Sequence, residues 1–530
     1  MAALSSSRHT RAAVAIGLIA ALGLALASFA ARSGTARADF VFTGGGEVRS
    51  IDPHAITGVP EGRVIRLLYE GLVAREPQSG RPVPGAAEAW QLSQDGLTYT
   101  FRLRSDALWS NGDRLTAADF EWSFRRLLAP ETAAEYAPSL FCIAGARAFS
   151  LGESREWASV GVRALDERQL EMRLERPVPY FLDLLSNPMF APVHRASLER
   201  LRQEFPATWA SEWTRPERLV VNGPFRLVER RIADRMRFER NEHYWDAQHV
   251  ALRTIDVLAI ESWNTALNLY LTGAVDWVDG AIPTTLASAL SGREDYTPRP
   301  YLAVYFYRVN TTKPPLDDWR VRRALAMALE REVLCKDVLK AGQLPADTFV
   351  PPRAIAGYSS PAGVGENIQA ARELLLQAGF GAQGKPFPAL ELHYNTAETH
   401  RDIAEVVAEQ WRRNLGIEVH LRNQEWKSFL DAQSKLDYDV SRSSWIADYA
   451  DPSTFLEIWT SESENNRTGW SNAGYDAVIA QARATADPRR RMELYATAES
   501  TLLHDLPCIP LFVYVSQNLV DPRVGGFGAN

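Results

Sequence analysis

Tyr99-Thr100-Phe101-Arg102-Leu103-Arg104 and Thr116-Ala117-Ala118-Asp119 decide the fold class of this chain. In the first stretch apolar and polar residues alternate. Tyr99, Phe101 and Leu103 therefore share one face of a half-buried strand. In the second, a threonine is followed three positions on by an acid. That is a capping box, and it predicts a helix over residues 117–128. The same succession recurs further along the chain. Residues 304–309 read as a strand, broken afterwards at Pro314-Pro315. Residues 320–339 have helical spacing through Val321, Ala324, Leu325 and Ala328. Asn367 is placed to cap a helix with the stripe Ile368, Ala371, Leu375 and Ala378, which Gly379 ends. Residues 402–415 read as a helix and 418–422 as a strand. The mixture predicts α/β lobes with mixed sheets.

The chain has 530 residues. A single core stops growing near roughly 250–300 residues, so at least two packed lobes are expected. With 46% hydrophobic and 23% charged residues the composition is that of a soluble globular protein. The net charge of −7, with no block of Lys and Arg, argues against nucleic acid as a partner. The 15 Trp and 17 Tyr exceed ordinary core needs and favour an aromatic-lined ligand site.

The first 38 residues read as a targeting segment. Arg8 and Arg11 precede an apolar run over residues 12–31, and Ala36-Arg37-Ala38 is a small-residue cleavage site before Asp39. The run is also long enough for a membrane anchor. No adjacent Arg-Arg pair occurs there, which points to the general secretory route. Cys142, Cys335 and Cys508 lie far from this region, so no cysteine is placed to carry a lipid anchor. They are compatible with one disulfide or with three thiols.

Signatures of catalysis do not stand out. There is no phosphate loop, dinucleotide turn, H-E-x-x-H, C-x-x-C or G-x-S-x-G elbow. His243 and His249 are six apart and do not share a helix face as metal ligands would. No cofactor or metal is expected, and the chain does not read as an enzyme.

A series of blocks in fixed order carries a family resemblance. They are Ser50-Ile51-Asp52-Pro53-His54, Gly58-Val59-Pro60-Glu61 and Leu68-Tyr69-Glu70-Gly71-Leu72. Next come Trp109-Ser110-Asn111-Gly112, Asn222-Gly223-Pro224-Phe225 and Arg240-Asn241-Glu242-His243-Tyr244-Trp245. The last are Val321-Arg322-Arg323-Ala324-Leu325, Asn423-Gln424-Glu425-Trp426-Lys427 and Trp445-Ile446-Ala447-Asp448-Tyr449. In these blocks the chain resembles the periplasmic oligopeptide-binding proteins of ABC importers, in the oligopeptide and murein-peptide branch of family 5. The resemblance implies a two-lobed α/β clamp of the class II, cluster C type, with an extra domain on one lobe and two segments crossing between the lobes. It places lobe I at residues 39–69, 193–302 and 516–530, the extra domain at 70–192, and lobe II at 303–515.

It also implies a set of peptide-binding residues. Asp448 matches the acid that anchors the ligand's α-ammonium. Asp451, just before Pro452, already explains itself as a helix cap. Arg442 and His400 match positions that meet the peptide's terminal carboxylate. Asn395, Trp426 and Trp445 match pocket or cleft positions, Val59 a backbone contact and Tyr136 a cleft-lining aromatic. There are departures. The family's lysine for the shortest ligands falls on Leu339, with Lys340 next to it and turned by about 100° on a helix. The cysteine pair of enteric-type members falls on Ala303 and Ile446. An acidic cleft position falls on Arg308, which shares a strand face with Val304 and Phe306. Arg308 reads either as a solvated strand-end cation or as a positive pocket wall favouring acidic side chains.

The resemblance thus implies a monomeric periplasmic receptor that captures peptides of two to five residues and delivers them to an inner-membrane permease. Murein tripeptide, haem, a metal chelate or a sugar are rival ligands on the same scaffold. A secreted peptidase or other hydrolase is the rival of another class, and a chaperone-like binder of unfolded chains a third.

Overall fold

The computed structural model describes residues 36–56, 58–77, 80–280, 284–381, 384–485 and 487–527. The targeting segment read over residues 1–38 falls almost wholly outside the described residues. Ala36, Arg37 and Ala38 are described, and Arg37 is ion-paired to Asp276 at 2.8 Å.

Among the described residues the strands form three main sheets. The first runs in the order Asn518–Val520, Trp277–Asp279, Phe40–Thr43, Thr254–Leu258, Arg235–Arg240, Phe225–Arg231. Phe40–Thr43 lies parallel to Thr254–Leu258, and the outer pairs are antiparallel. The second runs Leu344–Pro345, Cys508–Ser516, Arg299–Val309, Val440–Ile446, Leu390–Asn395, Val419–Gln424. A smaller antiparallel sheet, Ala87–Leu92, Thr98–Leu103, Gln169–Arg173, Val162–Ala164, packs with the helix Ala117–Leu128 and falls within residues 70–192, where the resemblance places the extra domain.

The local reasons are those legible in the sequence. Tyr99, Phe101 and Leu103 are buried on one face of their strand, and the residues between them are not. The Thr116 amide donates to the Asp119 carboxylate at 2.9 Å, so the capping box forms. Asn367 accepts from the Ala370 amide, and Gly379 takes a φ of +93° just past the helix Ile368–Gln377.

Lobe II is a sheet covered on both faces. Tyr305, Tyr307 and Val309 of the long strand point to one core, with Val321, Leu325, Leu375, Val407 and Trp411. Val304 and Phe306 point to the other, with Phe349, Phe455, Trp459, Tyr475 and Tyr495. Each such fully buried large side chain contributes about 1.5–3 kcal/mol, so the two cores fix the strand's register and which residues face which side.

The helix expected over 320–339 is interrupted. Trp319–Met327 ends at Ala328, and a short turn Arg331–Val333 runs into a π-turn, Leu334–Leu339. The cause is tertiary. The Glu330 amide is taken by the Gln410 side chain at 3.0 Å, and Arg331 is drawn into the core to donate to the Pro510 carbonyl at 2.9 Å. Leu339 is buried, whereas Lys340 adopts a positive φ and is exposed. All three cysteines are free thiols.

Two adjacent segments cross between the large sheets. Thr297 donates to the Asn518 carbonyl at 2.8 Å, and Arg299 and Pro300 pair with Ser516 and Val515. The ladder then shifts register before resuming at Val304 opposite Val513. Such an irregularity locally loosens an antiparallel pair and lets it bend. Ala303 lies directly across from Ile446. The family's cysteine positions are thus cross-strand neighbours in this chain, beside the crossing.

Candidate functional site: a charged cleft beside the crossing strands

Three parallel strands of lobe II, Leu390–Asn395, Val419–Gln424 and Val440–Ile446, run toward the crossing segments. Their carboxyl ends therefore face lobe I, the usual place for a ligand crevice in an α/β sheet. Asn395 and Gln424 end their strands side by side. His400 follows in the first turn of the helix Glu398–Leu415, and Trp426 opens the helix Trp426–Ser434.

Arg442 lies on Val440–Ile446, the strand between Arg299–Val309 and Leu390–Asn395, and is 8% exposed. Its guanidinium donates to Asn395 Oδ1 at 3.2 Å, Tyr514 Oη at 3.3 Å and Ser444 Oγ at 3.4 Å. It also stands 5.0 Å from the centre of the Tyr305 ring. No carboxylate among the described residues pairs with it. Three buried polar atoms around it lack a hydrogen-bond partner: its own Nε, His400 Nδ1 and the Tyr305 hydroxyl. Burial, and then the Arg442 charge, push the His400 imidazole down to about 3. At neutral pH the histidine is therefore an uncharged hydrogen-bonding group next to a fixed cation. Such a cluster has hydrogen-bonding capacity left over that an anion with lone pairs on more than one side can use.

Asp448 follows two residues after the end of the same strand. It makes no ion pair among the described residues, and it is exposed. Desolvation by the surrounding protein still raises its carboxyl above the usual 3.8, against a lowering hydrogen bond from Tyr136. Tyr136, from the extra domain, is pushed up to about 12 by burial and then by Asp448, so it stays a donor. Asp451 has the different fate the sequence suggested, and more. Its Oδ1 accepts from the Ser453 amide at 3.0 Å, while Oδ2 pairs with Arg491 at 2.5 Å in the core.

The structure therefore groups the residues read from sequence in two clusters, Asp448 with Tyr136 and Arg442 with Asn395 and His400. Trp445 is half-buried against the second core of lobe II, with its Nε1 unpaired. Trp426 is 51% exposed and stacks on Phe429. Val59, at the first turn of the helix Val59–Leu68, is 50% exposed. Neither is hydrogen-bonded to the two clusters.

Arg308 corrects its reading as a solvated strand-end cation. It is 4% exposed, not solvated. Its guanidinium donates to the Asn465 and Asn466 carbonyls at 2.7 Å and to Ser443 Oγ at 3.2 Å, and it packs over Phe306 and Trp459. Across the strands it pairs with Ser441, while Arg442 pairs with Tyr307. Alternation thus puts the two arginines on opposite faces of the sheet. Arg308 ties down the 465–466 loop. Tyr305 and Tyr514 were not singled out from sequence. For Tyr305 the strand's alternation already put it on the face opposite Arg308, whereas nothing local tied Tyr514 to Arg442.

Comparison with known proteins gives the family. Residues 81–467 match the middle portion of the bacterial extracellular solute-binding proteins, family 5. The periplasmic oligopeptide-binding protein OppA of Salmonella typhimurium is 38% identical, over 97% of this chain and 95% of its own. The periplasmic murein peptide-binding protein MppA of Escherichia coli is 37% identical, over 91% of this chain and 89% of its own. The unliganded open form of the murein tripeptide binding protein MppA superposes with a TM-score of 0.80 at 35% identity, covering 94% of this chain and 96% of that one. The fold is the two-lobed clamp of these proteins, and the chain belongs to the bacterial extracellular solute-binding proteins of family 5.

Proposed function

We propose that this chain is a periplasmic receptor that closes over short peptides and hands them to an ABC importer in the inner membrane. One observation carries the reading. Two opposite charges with no ion-pair partner among the described residues, Asp448 and Arg442, lie six positions apart along one segment. Extended backbone spans about 3.3 Å per residue, so the two are within roughly 20 Å, the scale of a short extended peptide. In this reading Asp448 takes the ligand's ammonium, and Arg442, with neutral His400 and Asn395, its carboxylate. The backbone shared by all peptides supplies strand-like hydrogen bonds. Trp426, Trp445, Val59 and Tyr136 wall the remaining space. A charge-assisted hydrogen bond at either end contributes about 1.5–3 kcal/mol. The receptor acts as a monomer and carries no cofactor or catalytic group. Among the described residues no helix is long and apolar enough to cross a membrane.

Murein tripeptide is the second reading, favoured by the likeness to MppA. The test is mass spectrometry of ligands released by denaturing protein taken from its host, with calorimetry of tri-alanine against its N-acetyl and C-amide forms. Intact short peptides and a penalty at both blocked ends are expected. Cleaved fragments would instead establish the hydrolase, and equal affinity for all three forms would overturn the zwitterion reading.

A further inference from the structure

The segment that carries Asp448 is gripped from the extra domain. Tyr180 and Tyr449 lie ring on ring, with centroids 4.3 Å apart and planes 3° from parallel. Tyr449 directly follows Asp448, whereas Tyr180 precedes the short helix Phe181–Leu185 more than 250 positions earlier. The stack is seated on Arg491. That guanidinium lies 5.7 Å from the centre of the Tyr180 ring and pairs with Asp451 at 2.5 Å. Asp451 in turn accepts from the Ser453 amide, and the Ser453 hydroxyl bonds Tyr449 Oη at 3.3 Å. Tyr180, Asp451 and Arg491 are all buried. Residues 449–453 are thus held by a ring, an ion pair and a hydroxyl. The neighbouring Asp448 amide donates to Thr454 Oγ1 at 3.3 Å, while its carboxylate stays exposed.

We propose that Tyr180 is a positioning residue for the ammonium anchor: stacked on Tyr449 over the Arg491–Asp451 pair, it fixes the 448–451 segment so that the Asp448 carboxylate is presented to the ligand's amino end. This rests on the reading of Asp448 as that anchor. Stacked aromatic pairs are stiff as well as attractive, and a binding group works only when its supporting shell locks it in place. Tyr136 reaches Asp448 from the same extra domain. The domain therefore governs the amino end of the site, and Arg442 at the other end depends on lobe II alone.

The test uses the two ratios that calorimetry gives for each protein: N-acetyl-tri-alanine against tri-alanine, and tri-alanine amide against tri-alanine. Tyr180→Met keeps a long apolar side chain and loses the ring, while Tyr180→Phe keeps the stack. In Tyr180→Met the first ratio should fall about tenfold, the order of one charged hydrogen bond, with the second unchanged. Tyr180→Phe should restore the first ratio. A general loss of structure would lower both ratios together, and that outcome, or no change in either, overturns the positioning role. A wild type with a first ratio near one overturns the anchor reading itself, and the positioning role with it, while leaving the second ratio to report on Arg442. Hydrogen exchange of the ligand-free wild type is independent of any variant. The amides of Asp451 and Ser453, which donate to the Tyr449 carbonyl and to Asp451 Oδ1, should be protected, and exchange as fast as an open loop would also overturn the proposal.

Discussion

At the scale of single residues, what matters is which charges the fold leaves without a partner. Asp448 and Asp451 are three positions apart, yet Asp451 is consumed by Arg491 and Asp448 is left exposed without an ion pair among the described residues. Its carboxyl is raised above 3.8 by desolvation, offset by Tyr136. Protonation removes the charge that an ammonium needs. Affinity for free-amine peptides should therefore be complete well above that raised value and be lost as pH falls through it, beginning above the ordinary range. Calorimetry of tri-alanine from pH 7 downward checks this, and N-acetyl-tri-alanine should show no such dependence. Arg442 gives a second prediction. An arginine buried without a carboxylate is held at a desolvation cost. Arg442→Met should leave the thermal midpoint of the ligand-free protein unchanged or higher, while weakening peptides with a free carboxylate about tenfold to a hundredfold. A fall in both midpoint and affinity would make Arg442 a structural residue.

At the scale of elements, the caps and alternations that the sequence displays are those the structure contains. The capping box at Thr116, the Asn367 cap and the strand of Tyr99, Phe101 and Leu103 need only neighbours within four positions. The interrupted helix after Ala328 was not legible, because its break depends on Gln410 and Pro510, far away in sequence. The Asp451–Arg491 pair has the same character, spanning 40 positions. Removing one member leaves the other charge in the core. Asp451→Ala should cost about 3–5 kcal/mol of unfolding free energy, measured by urea titration. A cost near that of a surface ion pair, below about 1 kcal/mol, would mean Arg491 finds water or another acid.

At the scale of the whole molecule, the two large sheets communicate through a pair of crossing segments whose ladder loses register between Pro300 and Val304. A ligand drives closure only by binding the closed form more tightly than the open one. In the proposed reading a peptide with its ends on Asp448 and Arg442 would lie along the Val440–Ile446 strand and the segment after it, beside that crossing. Saturating tri-alanine should therefore reduce the radius of gyration in small-angle scattering, and the N-acetyl form should do so only at far higher concentration. An unchanged radius at saturation would mean that capture occurs without closure. The sequence by itself determined the α/β class, the caps, the strand faces and the kinds of charge available, because these follow from periods of 2 and 3.6 within a few residues. Only the tertiary structure decided that Arg308 is tied to the 465–466 loop while Arg442, one strand away and on the other face, stays without an acid. Partners of that kind are chosen by packing between segments that no local period connects.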